Sequence, residues 1–77
     1  MTIDHTYVQV LAKARDAKIG GADAWRVQST GEKVTVALIL NRPDWLAEMG
    51  YTLAVAIDRA GNWDKYIPMV AKALAED

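Results

Sequence analysis

The 77-residue sequence predicts a single α+β domain: an N-terminal amphipathic helix, a two-stranded antiparallel β-hairpin, then two or three short helices packed as one layer on the sheet. Three observations carry that expectation. Apolar residues recur at spacings of three and four over the first 19 positions, the period shifts to two between Trp25 and Asn41, and helix-start and helix-stop residues then alternate to the C-terminus.

The first helix is expected from Ile3 to Ile19. Ile3, Tyr7, Val10, Leu11, Ala14 and Ala17 form its stripe, Gln9, Lys13 and Asp16 lie opposite, and Val8, Ala12 and Ile19 widen the buried face. Asp4 or Thr6 can cap it, and Gly20-Gly21 stops it. In Trp25-Arg26-Val27-Gln28-Ser29 the odd positions up to Val27 are apolar and the even ones polar; Lys33 to Asn41 answers with Val34, Val36, Leu38 and Leu40 on one face. Ser29-Thr30-Gly31-Glu32 is read as the tight turn between the two strands. Ala37 and Ile39 then continue the hairpin's outer face with apolar groups, which asks for a cover.

Asn41-Arg42-Pro43-Asp44 opens the next helix, with Trp45, Leu46 and Met49 inward and Gly50 as its stop. Thr52 caps a helix from Leu53 to Ala60 that Gly61 ends. Asn62 caps a third, carrying Trp63, Ile67, Val70, Ala71 and Leu74, with Pro68 expected to break it near Tyr66-Ile67.

Composition narrows the chemistry. Nine basic and ten acidic residues leave a net charge of −1, and no cysteine is present. A disulfide is therefore excluded, and a zinc site has one histidine to draw on. Lack of cysteine and of any basic-then-apolar leader or long apolar run points to a cytoplasmic protein with no membrane association. His5 beside Asp4, and the single serine, Ser29, in a turn, form no catalytic pattern. The acids read as caps and solvated groups, and no phosphate-binding glycine motif occurs, so neither a catalytic residue nor a metal or cofactor is expected.

Residues 45–57 loosely resemble a helix-turn-helix, but the second helix opens on Leu53, Ala54, Val55, Ala56 and Ile57 where a base reader needs polar side chains. That helix is expected to be buried. A weak nucleic-acid patch could instead gather Arg15, Lys18, Arg26 and Lys33, since residues 1–42 carry six bases against four acids.

The favoured expectation is a non-catalytic protein that binds another macromolecule. By analogy of size and style alone, that class includes accessory subunits and the inhibitors of phages and mobile elements, such as anti-CRISPR proteins. A core this small gains from self-association, so a homodimer or a protein partner is expected. The interface would be the hairpin's outer face and a boundary tryptophan: Trp25, Arg26, Gln28, Thr35, Ala37, Ile39 and Trp63.

Overall fold

A computed structural model describes residues 4–76. Ile3, placed on the first helical stripe above, lies outside them. The described residues form helices and contain no strand, which overturns the α+β expectation: α1 (His5–Arg26), α2 (Thr30–Ile39), α3 (Pro43–Glu48), α4 (Leu53–Ala60), a 3-10 turn (Gly61–Trp63) and α5 (Tyr66–Ala75).

The start of α1 follows the expected chemistry. The Asp4 carboxylate accepts from the backbone N–H groups of Thr6 and Tyr7, and Val10, Ala14 and Ala17 are buried. Gly20-Gly21 does not end it. Gly21 adopts φ 69°, ψ −155°, a conformation open essentially to glycine alone, and the chain bends there and resumes its helix to Arg26. Trp25 thus lies in a helical turn, fully buried, where a strand was expected.

The expected hairpin turn is the start of α2. The Ser29 hydroxyl accepts from the Glu32 N–H at 3.3 Å and the Glu32 carboxylate accepts from the Ser29 N–H at 2.9 Å. That reciprocal pair is a capping box, and it satisfies two donors left open at a helix start. Within α2, Val34, Thr35, Val36, Ala37 and Ile39 are all buried, because α1, α3, α4 and α5 each pack on it. A helix covered on every side has no polar stripe, so its sequence shows no period of 3.6.

Asn41 takes φ 54° and turns the chain into α3. Arg42 rather than Asn41 precedes the helix, its guanidinium held by Asp44 at 2.8 and 3.1 Å and stacked 4.4 Å over the Trp45 ring. Gly50 and Gly61 end α3 and α4 with positive φ, as expected of them. Asn62 falls inside the 3-10 turn and caps nothing, and the break comes before Tyr66, not after it. Pro68 is therefore in the first turn of α5, where a missing N–H costs no helical bond.

α5 runs parallel to α1. The Tyr66 hydroxyl donates to the Asp4 carboxylate at 3.0 Å at one end, and the Lys18 ammonium donates to the Leu74 carbonyl at 3.1 Å at the other. The core centres on Trp25 and Trp45, stacked with ring centroids 4.8 Å apart, and the Trp25 indole N–H donates to the Lys33 carbonyl at 2.8 Å. The accessible surface is 4864 Å², close to the about 4,650 Å² that the size scaling gives for a free-standing fold of this mass. Among the described residues no helix is long and apolar enough to cross a membrane.

Candidate interaction surface

Helix α4 forms for local reasons: the Thr52 hydroxyl accepts from the Val55 N–H at 3.2 Å, and Gly61 closes the other end. Its burial is inverted. The residues it turns into the core are Ala56 and Ala60, one helical turn apart, and short side chains let it lie close against α2. Leu53, Val55 and Ile57 are instead 61, 40 and 52% exposed, which corrects the expectation that this helix hides its large residues. Leu53 and Ile57 share one side, four residues apart. Leu53 also forms one wall of a shallow cleft of about 50 Å³ with Ala37, Leu38, Pro43 and Leu46. The apolar surface of α4 therefore extends onto its neighbours.

A second concavity, about 330 Å³, lies at the bend of α1. Ile19 and Val27, 86 and 85% exposed, stand on it with Lys13 and Asp16. Gln28 forms part of its lining, donating from Nε2 to the Lys13 carbonyl at 2.9 Å, while its buried Oε1 has no partner.

The residues singled out from the sequence are scattered by this fold. Trp25, Gln28, Thr35, Ala37 and Ile39 are buried, and only Gln28 and Ile39 keep a sliver of surface. Placing them on a hairpin's outer face fails because the hairpin is absent. Arg26 is exposed but held bidentate by Glu48 at 2.8 and 2.9 Å, with Asp23 at 3.3 Å; the guanidinium's hydrogen bonds keep the Glu48 carboxyl below its ordinary range. Trp63, beside Gly31, is half-buried, and of the three tryptophans it alone keeps a surface.

Three of the four cations of the nucleic-acid alternative are engaged within the fold, Lys18 with Leu74, Arg26 with Glu48, and Lys33 at 5.6 Å over the buried Trp25 ring, and the fourth, Arg15, stands exposed on α1. His5 is exposed in the first turn of α1, and Ser29 is engaged as a cap. Among the described residues no group of three or more histidines and carboxylates is placed to hold a metal ion.

Sequence reasoning missed Leu53, Val55 and Ile57 as surface residues. The available signal was the pair Ala56 and Ala60, whose i, i+4 spacing marks a close-packed side as well as Leu53 and Ile57 do. Comparison with known protein families, characterised proteins and solved structures yields no match.

Proposed function

We propose that this protein acts without catalysis, as a small accessory or inhibitory protein that binds a protein partner through the exposed flank of α4 that carries Leu53 and Ile57. The inverted burial of that helix carries the reading. A helix that buries two alanines and exposes Leu53, Val55 and Ile57 gains the hydrophobic stabilisation of its large residues only when something else covers them. Full burial of such a side chain is worth about 1.5–3 kcal/mol, and Leu53 and Ile57, which share one side and are each about half exposed, supply the kind of anchor that dominates interfaces. The chemistry selects an apolar ridge on the partner. A phosphate backbone has nothing to gain from it.

The test compares the wild-type chain with the Leu53→Ser/Ile57→Ser variant. Both side chains are exposed, so each substitution should change stability by no more than about 0.5 kcal/mol. A protein that crosslinks to wild type in its native cells and is lost from the variant is identified, purified and titrated against both. Binding at least about tenfold weaker to the variant is expected, a difference of about 1.4 kcal/mol. Equal binding to both chains overturns the reading, as does a nucleic acid recovered in place of a protein, its affinity falling steeply with salt.

A further inference from the structure

Helix α1 has a second side that the core does not use. Val10, Ala14 and Ala17 face inward; opposite them Val8, Ala12, Arg15 and Ile19 follow one another at spacings of four, three and four, and all four are exposed. That interval keeps residues on one line along a helix and is the spacing of a helix–helix seam. A helix side turned away from its own core is ordinarily polar; this one carries Val8 at 51% and Ile19 at 86% exposure. At its C-terminal end the line runs into the concavity at the Gly21 bend, where Ile19 is joined by Val27.

We infer that this side of α1 pairs with the same side of α1 in a second copy of the chain, antiparallel, about a two-fold axis. The inference is independent of the α4 reading. Two features select a second copy in this orientation. First, the four-three-four spacing is the same read from either end, so a single two-fold axis sets Val8 against Ile19 of the copy and Ala12 against its Arg15 throughout the seam. The small Ala12 leaves room for the longer Arg15 side chain opposite it. A parallel pair would set Arg15 against Arg15. Second, the charges beside the seam are complementary under the same axis. Asp16 of one copy comes beside Lys13 of the other, an opposite charge, and the relation repeats by symmetry.

The register also lays the first turn of the copy's α1 across the mouth of the concavity, with Val8 of the copy meeting Ile19 on its wall. The seam is short, about 16 Å for eleven residues of helical rise. Contacts of that size belong to the transient class, so monomer and dimer should exchange with concentration. A chain whose own surface is ordinary for a monomer is suited to that behaviour.

Sedimentation equilibrium from micromolar to millimolar concentration should show the wild-type mass rising from 8.5 kDa toward twice that value. Ile19→Asp should remain at the monomer mass throughout with an unchanged melting curve, since Ile19 makes little of the core. The chain has no cysteine, so disulfide trapping has no background. Val8→Cys mixed with Ile19→Cys should crosslink at least about fivefold more than Val8→Cys alone, because the antiparallel register holds the two copies of position 8 about 16 Å apart. A constant wild-type mass overturns the inference, as does dimerisation of Ile19→Asp equal to wild type. Equal crosslinking of Val8→Cys with itself overturns the orientation. Loss of the dimer in Leu53→Ser/Ile57→Ser but not in Ile19→Asp would move the contact to α4, and would also overturn it.

Discussion

Helices α2 and α4 are neighbours of similar length, both begun by a hydroxyl cap, yet they hold to the molecule in opposite ways. α2 is enclosed by four other helices and buries Val34, Val36 and Ile39 together with Thr35 and Ala37. α4 lies on the outside of α2 and is held by the small faces of Ala56 and Ala60, while Leu53, Val55 and Ile57 remain in water. The contrast separates two uses of apolar residues that sequence hydropathy does not distinguish. Those in and around α2 make the fold; those on α4 are surplus to it.

The most direct way to break that contrast is to truncate one residue from each region. Trp25 packs against Trp45 and donates to the Lys33 carbonyl of α2, so Trp25→Ala removes a stack, a buried hydrogen bond and a large fully enclosed volume. A loss of about 3–5 kcal/mol is expected. At about 4–8 °C per kcal/mol for a domain of this size, the melting temperature measured by circular dichroism should fall by more than about 12 °C, or the chain should not fold at all. Leu53→Ala should move it by no more than a few degrees. If Leu53→Ala cost as much as a core truncation, the outward placement of α4 would be wrong.

Much of the N- and C-terminal organisation was legible in the sequence, and the middle was not. The Asp4 cap and the inward Val10, Ala14 and Ala17 of α1, the Thr52 cap and the glycine stops at Gly50 and Gly61 follow local rules that can be read residue by residue, whereas Val8, Ala12 and Ile19, expected to widen the buried face of α1, are exposed. The residues from Trp25 to Leu40 follow a tertiary rule instead. Enclosure of α2 on all sides removes the polar stripe that marks a helix, and the β-branched Val34, Thr35, Val36 and Ile39 then imitate a strand. Ser29-Thr30-Gly31-Glu32 is compatible with a hairpin turn and with a capping box, and only the packing of α2 decides between them. Gly21 misled for the same reason: a glycine that stops one helix can equally bend it and let it continue. On α4 the residues of the candidate surface were visible, but their direction was not, because two i, i+4 pairs competed for the inward side.

The caps sharpen the comparison at lower cost. Ser29→Ala removes one half of a reciprocal pair at the start of an enclosed helix, and about 1–2 kcal/mol of global stability should go with it. Thr52→Ala removes a single bond of 3.2 Å at the start of a helix held by alanines. About 0.5–1 kcal/mol is expected there, and its effect should be local. Amide exchange measured by NMR should show faster opening confined to the first turn of α4 in Thr52→Ala, and a fall spread over the whole core in Ser29→Ala. The same pattern in both variants would mean that α4 is as integral to the core as α2.

The smallest effect separates the two helices by acidity. The Glu32 carboxyl is held below its ordinary range, chiefly because the Ser29 backbone N–H donates to it, with the Gln9 amide and the Ser29 hydroxyl also contributing. A carboxyl whose value is lower in the folded than in the unfolded chain adds stability that is complete above the ordinary carboxylate range and lost as pH falls through the folded value. Asp4, bonded by the Tyr7 and Thr6 backbone and by the Tyr66 hydroxyl, is shifted in the same direction at the start of α1. α4 starts on Thr52, which does not titrate. Acidification from pH 6 to 3 should therefore lower amide protection in the first turns of α1 and α2 relative to that of α4, after correction for intrinsic exchange. In Glu32→Gln, where an uncharged oxygen can still accept from Ser29, the decline at α2 should flatten while that at α1 remains. Retention of the full decline at α2 in Glu32→Gln would place the acid sensitivity elsewhere and remove the capping box from the account of why α2 is the more firmly held helix.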